Sequence, residues 1–440
     1  MADNARSSAP DVQAQFDRLW ALSPGADILG LERITALLDR LGNPHRHLPP
    51  VLHVAGTNGK GSTCAFLRAA IEAAGLTAHV YTSPHLVRFN ERIRIAGRLI
   101  DDALLAALLA EVLDAGSDIG ASFFEVTTAA AFLAFMRVPA DACIIEVGLG
   151  GRLDATNVIA APIVTGIAQL GLDHQSFLGD TIEQIAGEKA GIAKDSAMLV
   201  TMRYPPSVAQ RVGSVAAAAE ACVSALGTGW HLRIGDSVRY EDEHGVIETG
   251  LPRLFGPHQP ENLGLAIAML RHQAALKIPA AAYRAAAEWA EWPARMQRLG
   301  PGPLLARLPT GSELWLDGGH NPAAATAVSA ALEARAGKRP VHLVLGMLVN
   351  KDARGLLLPF ARYVISLQAV PVPDHEHHAP EALAAAADKL GLRAHAANDV
   401  ESALDVIAGR ADPANPPVVL VLGSLYLAGG VLAANGQMPG

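Results

Sequence analysis

The sequence predicts an α/β protein with two domains, each built on a largely parallel sheet. Apolar segments of strand-like and helix-like length alternate along the whole chain, which is typical of parallel sheets covered by helices. A length of 440 residues favours two domains over one. The alternation restarts after a stretch at 293–309 that is rich in proline and glycine, so we place the domains at residues 1–297 and 298–440.

Apolar spacing predicts the individual elements of both domains. In the first domain we expect strands at Val51–Ala55, Ala78–Tyr81, Cys143–Val147 and Ile163–Ile167, and helices at Cys64–Ala74, Asp102–Ala115, Val126–Phe135 and Thr181–Lys194. Alternation around a Glu-His-Gly turn predicts antiparallel strands at a sheet edge over Trp230–Thr249. In the second domain we expect strands at Glu313–Leu316, Val341–Gly346, Tyr363–Ala369 and Val418–Gly423.

Composition narrows the classes of partner and the compartment. The net charge is −8 and no dense Lys/Arg tract occurs, which argues against nucleic acid and anionic membranes as partners. The N-terminal segment is polar, without the apolar core of a signal peptide, and no apolar run has membrane length. The three cysteines, Cys64, Cys143 and Cys222, are widely spaced in apolar or alanine-rich surroundings. We expect buried, reduced thiols and a cytoplasmic protein.

Residues 53–63, HVAGTNGKGST, form a glycine-rich loop between a predicted strand and a predicted helix. Such a loop presents backbone N–H groups and a helix N-terminus to phosphate, with Lys60 near the β/γ-phosphates and the Ser62 or Thr63 hydroxyl on Mg²⁺. Val54 replaces the usual first glycine and Gly61 separates Lys60 from Ser62, which weakens the assignment to ordinary P-loop kinases or GTPases. The alternative is a plain turn between core elements. We favour a P-loop-type ATPase domain.

Polar side chains follow several predicted strands, where ligands of parallel sheets bind. Ser83, Glu146 and His174 offer hydroxyl, carboxylate and imidazole ligands for Mg²⁺. Glu146 could instead pair with Arg152 or cap a helix, and Lys189 could be a surface lysine paired with Glu188. The histidine-rich segment at 374–378 lies between prolines, so we interpret it as a solvated loop. The glycines of residues 317–322, DGGHNP, allow a ligand to approach the backbone closely.

Together these motifs resemble the bacterial folylpolyglutamate synthase/dihydrofolate synthase family of the Mur-ligase superfamily. Eight of them occur in the family's order along nearly the whole chain: HVAGTNGKGST, YTSPHLVRFNERI, FFEVTT, EVGLGGRLDATN, LDHQSFLGDTIEQIAGEKAGI, WPARMQR, LDGGHNP and GMLVNKD. The resemblance implies an ATP-binding Mur-type domain followed by a Rossmann-like glutamate-ligase domain.

The resemblance also implies the site residues. ATP contacts map onto Thr57, Asn58, Gly59, Lys60, Gly61, Ser62, Asn262, Arg295 and Asp317. Metal ligands map onto Ser62, Ser83, Glu146, His174 and Lys189, the last carbamylated, with two Mg²⁺ ions expected. Dihydropteroate contacts map onto Gly30, Leu31, Glu32, Arg33, Ser122, Phe123, Phe124, Glu125, Leu153, Asp154 and Ala155. Lys60, Lys189 and His320 are the catalytic candidates.

The implied reaction joins L-glutamate to dihydropteroate and to folates. Phosphoryl transfer from ATP turns the substrate carboxylate into an acyl phosphate, which the glutamate amine attacks with release of ADP and phosphate. Complete dihydropteroate segments favour a bifunctional, monomeric enzyme over a monofunctional folylpolyglutamate synthase. The FFE and EKAGI segments and the missing N-terminal UDP-binding domain disfavour a muramyl ligase. A P-loop NTPase is disfavoured because it gives no reason for a second nucleotide-facing domain.

Overall fold

The computed structural model describes residues 5–23, 29–195 and 197–440. Its helices are α1 (Pro10–Leu22), α2 (Glu32–Arg40), α3 (Lys60–Ala73), α4 (Asp102–Gly116), α5 (Phe123–Arg137), α6 (Gln175–Leu178), α7 (Ile182–Ala190), α8 (Pro206–Ala218), α9 (Gln259–Arg271), α10 (Ala280–Trp289), α11 (Pro322–Ala336), α12 (Ala353–Leu357), α13 (Pro380–Asp388), α14 (Val400–Ala408) and α15 (Leu425–Ala434). None of these helices is long and apolar enough to cross a bilayer.

The strands are β1 (Val51–Ala55), β2 (Ala78–Tyr81), β3 (Ile93–Ile95), β4 (Arg98–Leu99), β5 (Ala142–Glu146), β6 (Val164–Ile167), β7 (Met198–Thr201), β8 (Val223–Ala225), β9 (Trp230–Ile234), β10 (Val238–Asp242), β11 (Gly245–Thr249), β12 (Gln297–Arg298), β13 (Glu313–Leu316), β14 (Val341–Leu345), β15 (Ser366–Ala369), β16 (Arg393–Ala396) and β17 (Val418–Leu422). The contacts divide the chain into two compact units. The first contains Met1–Pro84, Arg88–Arg253 and Gln259–Glu291, and the second contains His85–Val87, Leu254–His258 and Trp292–Gly440.

The first unit contains an eight-stranded sheet in the order β4-β3-β2-β5-β1-β6-β7-β8. The neighbouring pairs from β2 across the sheet to β8 are parallel, whereas β3 pairs antiparallel with both β2 and β4. Strand β1 lies between β5 and β6, with Val54 opposite Glu146 and Ala55 opposite Ile167. All five residues of β1 and of β5 are buried, as expected for central strands covered on both faces. The predicted α/β class is confirmed.

The second unit contains a six-stranded sheet in the order β12-β13-β17-β14-β15-β16. Only β12 is antiparallel to its neighbour. Apolar side chains form one core on each face of this sheet, one built mainly with α11 and α13 and the other with α14 and α15. This unit is therefore a doubly wound α/β unit, as the restarting alternation predicted.

Most predicted elements are confirmed, and their errors lie at the ends. Helix α3 begins at Lys60 instead of Cys64, so it starts within the glycine-rich loop. Helix α5 begins at Phe123 because Ser122 and Glu125 form a capping box. Helix α7 ends at Ala190, not Lys194. The antiparallel strands over 230–249 exist, but they form a separate three-stranded sheet instead of the edge of the large one.

A buried ion pair joins that three-stranded sheet to helix α9. Arg271 donates from Nε and Nη2 to the two carboxylate oxygens of Asp242, whose side chain is fully buried, and the Tyr240 hydroxyl donates to the same carboxylate. The Arg271 guanidinium also lies 5.7 Å from the centre of the Tyr240 ring. Because Asp242 is removed from water, loss of its cation leaves an unpaired buried charge.

We therefore expect Arg271→Met to lower the free energy of unfolding by about 3–5 kcal/mol, which is the usual cost of breaking a buried pair from one side. Calorimetry measures the loss as a lower melting temperature. Arg253→Met is the matched control, because Arg253 pairs with Glu291 at the surface. Equal melting temperatures for the two variants would contradict the prediction.

Candidate active site

The glycine-rich loop between β1 and α3 has the backbone geometry of an anion cradle. Gly59 is the N-cap residue of α3, lies in the left-handed region at φ 85° and provides no side-chain cap. The first N–H groups of α3 are thus available to a phosphate. The N–H groups of Thr57 and Asn58 donate to the Gln169 carbonyl, and the Thr57 hydroxyl donates to the Gly171 carbonyl. The segment after β6 therefore supports the loop from one side.

The structure distinguishes the two hydroxyls that the sequence left as equal candidates for Mg²⁺. The Thr63 hydroxyl donates to the Gly59 carbonyl at 2.9 Å and is committed to the first turn of α3. The Ser62 hydroxyl instead accepts from Gln259 Nε2 at 3.3 Å, and Gln259 Oε1 in turn accepts from Asn262 Nδ2. Ser62 is therefore the better candidate, in agreement with the resemblance.

Asn262 lies directly against the glycine-rich loop. A Cβ atom added at Gly59 would stand 2.5 Å from Asn262 Oδ1, so only glycine fits beside this amide. Asn262 and Gln259 share a face of α9 at i, i+3 spacing, and both are buried. The structure thus places Asn262 at the loop, its contact with a nucleotide stays a prediction, and the structure adds Gln259, which sequence reasoning missed.

Glu146 and Ser83 meet beside the lysine of the loop. The Ser83 N–H donates to Glu146 Oε2 at 3.2 Å, and Lys60 Nζ lies 4.0 Å from Glu146 Oε1. Lys60 also donates to the Gly56 carbonyl at 3.2 Å. Glu146 is buried, with 4% of its surface exposed. Arg152 pairs with Glu188 instead, which rules out the alternative that Glu146 serves as the partner of Arg152.

Lys189 is a buried lysine near the loop. Only 5% of its surface is exposed. The pKa of Lys189 is lowered to about 7, chiefly by burial and also by the positive charge of Lys60, while the carboxylates of Asp173 and Asp154 partly oppose the shift. The alternative of a surface lysine paired with Glu188 is wrong. An amine with this pKa is partly neutral at physiological pH and therefore nucleophilic.

The backbone of residues 148–157 is interlocked with the helix that carries Lys189. The Arg152 N–H donates to the Glu188 carbonyl at 2.8 Å, and a Cβ atom at Gly151 would stand 2.8 Å from the Lys189 carbonyl oxygen. A Cβ atom at Gly191 would stand 2.4 Å from Arg152 Cβ. These close approaches require glycine, and they set the position of Lys189 relative to the loop after β5.

The segments that the resemblance assigns to dihydropteroate come together in the first unit. Arg33 Nε donates to Glu125 Oε2 at 3.0 Å, which joins the segment Gly30–Arg33 to the start of α5. A Cβ atom at Gly148 would stand 2.4 Å from the Phe124 ring, so the loop after β5 abuts the same turn of α5. Phe124 stays partly exposed, whereas Glu125 is buried.

The predicted metal ligands form a sparse donor set. The described residues contain no group of three or more His, Cys, Asp or Glu side chains suited to a metal ion. Glu146 is the carboxylate of the predicted set, and Ser62, Ser83 and His174 add neutral donors. A Mg²⁺ ion normally binds one or two carboxylates together with substrate phosphates, so these side chains fit it in combination with a nucleotide. His174 has a left-handed backbone at φ 52°, beside Asp173.

In the second unit, three further predicted residues surround the turn after β13. Asp317 is buried and accepts from the Met296 N–H and the Gly319 N–H, both at 2.7 Å. Gly318 donates to the Ala294 carbonyl, and His320 Nδ1 lies 2.9 Å from the Gly318 carbonyl. A Cβ atom at Gly318 would lie 3.1 Å from Arg295 Nη1. Arg295, Asp317 and His320 are therefore neighbours in the second unit, and the roles that the resemblance implies for them stay predictions.

Two other expectations concern side chains outside this site. The histidine-rich segment packs against residues 347–351 through backbone bonds, and His375 stacks on Tyr426 with 3.7 Å between ring centres. It is thus an ordered loop rather than a purely solvated one. Cys64 and Cys143 are buried and burial raises their pKa values. The expectation that Cys222 is buried is wrong, because that thiol is exposed.

The family model and the relatives that this chain matches point to the same family. Residues 303–425 match the family model described as "Mur ligase, glutamate ligase domain". The chain is 32% identical over 424 residues to the folylpolyglutamate synthase of Lacticaseibacillus casei, which covers 91% of this chain and 92% of that protein.

Solved structures agree over almost the whole length. Escherichia coli FolC in complex with DHPP and ADP matches with a TM-score of 0.87 at 32% identity, covering 98% of each chain. A bifunctional folylpolyglutamate synthase/dihydrofolate synthase with Mn, AMPPNP and L-glutamate bound matches with a TM-score of 0.84 at 32% identity, covering 97% of this chain and 98% of that one.

The lowered pKa of Lys189 predicts a specific pH dependence of stability. Between pH 7 and 10.5 the unfolded state holds a proton on this lysine that the folded state has lost. Stability should therefore rise with pH in this window, by at most about 1.4 kcal/mol per pH unit. Below pH 7 both states are protonated and this contribution to the slope disappears.

Melting temperatures between pH 7 and 9, in metal-free buffer purged of CO₂, test this. Lys189→Met should show a weaker rise with pH than the unaltered protein. Lys277→Met, which changes an exposed lysine, should keep the original slope. Superimposable pH profiles for the Lys189→Met variant and the unaltered protein would show that the Lys189 ammonium is well solvated.

Proposed function

The chain belongs to the folylpolyglutamate synthase/dihydrofolate synthase family of Mur-type ligases, and we propose that it joins L-glutamate both to dihydropteroate and to reduced folates at the expense of ATP. The observation that carries this proposal is the uncapped start of α3 beside Lys60 and Glu146. It supports an ATP site of the kind that holds ADP or AMPPNP in the solved relatives. The protein is an enzyme of the ligase class.

The chemistry follows from the poor leaving group of a carboxylate. Transfer of the γ-phosphoryl group of ATP to the substrate carboxylate gives an acyl phosphate, whose phosphate then leaves when the glutamate amine attacks the carbonyl carbon. Phosphoryl transfer depends on positioning and charge neutralisation, because the transferring oxygens carry the developing charge. Thr57 to Ser62 hold the phosphates, and Lys60 neutralises their charge. Asn262 orients the nucleotide from α9.

Divalent metal is a requirement of this chemistry, and a solved relative has both Mn and AMPPNP bound. Ser62, Ser83, Glu146 and His174 are the side chains that would hold Mg²⁺ here, and we propose two ions. Bound Mg²⁺ supplies charge neutralisation at the phosphate oxygens. Lys189 is part of the proposal as a carbamate, because a buried, partly neutral amine reacts with CO₂ and the product carries the negative charge that a metal ligand needs.

Bifunctionality is supported by the three dihydropteroate segments. Arg33 reaches Glu125, and the loop after β5 abuts Phe124. The same segments are consistent with the DHPP bound in the Escherichia coli relative. The alternative of a monofunctional folylpolyglutamate synthase corresponds to the name of the Lacticaseibacillus casei relative and makes a different prediction for dihydropteroate.

We further propose that residues 1–297 and 298–440 act as the ATP-binding and glutamate-ligase domains, with Arg295 and Asp317 as additional contacts to the nucleotide and His320 as a catalytic residue. The proposal includes a monomer and a cytoplasmic location, and the sparse cysteines are consistent with that location. No nucleic acid or membrane partner is part of the proposal, given the net charge of −8.

The activity is tested with ATP, Mg²⁺ and L-glutamate, together with dihydropteroate or tetrahydrofolate in separate reactions. We expect ADP and phosphate release that depends on glutamate and on either pterin substrate, with glutamylated products by mass spectrometry. Turnover of tetrahydrofolate alone would identify the monofunctional alternative. ATP hydrolysis that needs neither co-substrate would indicate a simple NTPase. Release of AMP and pyrophosphate would exclude the acyl-phosphate route.

Lys189→Ala tests the proposed carbamate. The variant should lose most activity, because the site loses its negatively charged ligand, and should regain part of it when acetate or formate is added. Lys277→Ala, at an exposed position, should keep full activity and show no response to acetate. Full activity of Lys189→Ala would remove this residue from the metal site.

A further inference from the structure

Asp154 lies in a segment that we propose to contact dihydropteroate, yet its carboxylate is already engaged within its own loop. Only 2% of Asp154 is exposed. Oδ2 accepts from the Leu149 N–H at 2.8 Å, and Oδ1 accepts from the Thr156 N–H at 3.0 Å and from the Thr156 hydroxyl. These bonds fix the carboxylate and the backbone of the loop after β5 in one conformation.

The chain of hydrogen bonds continues from Thr156 to strand β1. His53 Nε2 lies 2.8 Å from Thr156 Oγ1, and both side chains are fully buried. The single proton of the Thr156 hydroxyl is given to Asp154, so the hydroxyl oxygen must accept from His53 Nε2–H. Burial, with a smaller contribution from Lys194, lowers the pKa of His53 to about 3, so the imidazole stays neutral and keeps this direction of donation.

The buried imidazole of His53 carries a cost in folding free energy that an apolar side chain would not carry. Among the described residues, the buried Nδ1 atom of His53 has no hydrogen-bond partner. An unsatisfied buried polar atom costs about 1–3 kcal/mol, whereas leucine or methionine fills a similar volume without that cost. Stability alone therefore gives no reason for histidine at this position. The hydrogen-bond direction that His53 imposes on the Thr156 hydroxyl gives such a reason.

His53 also connects two binding loops. It lies in β1, whose C-terminal end continues into the glycine-rich loop at Gly56, while Thr156 and Asp154 belong to the loop after β5. We propose that His53 and Thr156 are positioning residues that hold Asp154 for recognition of the pterin substrate and keep its loop in register with the ATP-binding strand. This inference rests on the proposed dihydropteroate activity, and it adds two residues to that site.

The proposed positioning role affects binding of the pterin substrate and not binding of ATP. Thr156→Val keeps the shape of the side chain and removes both hydrogen bonds. We expect the KM for dihydropteroate to rise about tenfold, in line with the loss of one or two buried hydrogen bonds, while the KM for ATP stays within about twofold. Thr156→Ser, which keeps the hydroxyl, should restore most of the affinity.

The histidine is tested in the same way. Glutamine can place its amide N–H where His53 Nε2–H lies, so His53→Gln should behave nearly as the unaltered protein, whereas His53→Leu should follow Thr156→Val. The matched control is Thr165→Val, because Thr165 is equally buried, pairs with His53 across β1 and β6, and donates its hydroxyl proton to the Met198 carbonyl. Melting temperatures of all five variants report on folding.

The outcomes are distinct. If the unaltered protein does not ligate glutamate to dihydropteroate, the proposed bifunctionality fails and the positioning role fails with it. If it does, and Thr156→Val matches Thr165→Val, the positioning role alone is wrong. A parallel rise of both KM values with a lowered melting temperature would reduce the two residues to a structural role. If Thr156→Val does not fold, the KM for dihydropteroate of His53→Gln is compared with that of His53→Leu. A higher KM for His53→Leu supports the positioning role, and equal values contradict it.

Discussion

The parallel pairing of β1 between β5 and β6 is the constraint on which the rest of the first unit depends. Parallel neighbours end at the same edge of a sheet, so the segments that follow these three strands must lie side by side. Val54 opposite Glu146 and Ala55 opposite Ile167 set the register. Three features therefore lie close together at this edge: the glycine-rich loop, the Glu146 carboxylate and the segment that leads to His174. Strand pairing is sufficient to place them there, so no direct bond among them is needed.

Close backbone contacts then fix the positions of the segments that follow the paired strands. Glycines at 151 and 191 let the loop after β5 and the end of α7 touch at distances that a Cβ atom would prevent. That contact buries Lys189, and burial lowers its pKa to about 7. The reactivity of this amine thus depends on two glycines that contribute no functional group of their own.

The sequence was sufficient for the features that depend on local pattern. Strands β1, β2 and β13 occur at the predicted residues, and a helix follows the glycine-rich loop as expected, although it begins at Lys60 and not at Cys64. The sequence did not identify long-range contacts, since helical periodicity does not show which face of a helix meets which loop. Gln259 reaches Ser62 across 197 positions of the chain. The pairing of Arg152 with Glu188, and not with Glu146, was equally invisible to local pattern.

The amino-acid sequence by itself determined the class of the fold, the order of the elements and the motifs that carry the family resemblance, because these follow from apolar periodicity and from short segments in which neighbours in sequence are neighbours in space. Only the tertiary structure decided which donors are committed and which are available. It assigned the Thr63 hydroxyl to its own helix, buried Lys189 and linked His53 through Thr156 to Asp154. Burial and hydrogen-bond direction depend on residues far apart in the chain, so they exist only once the strands have paired.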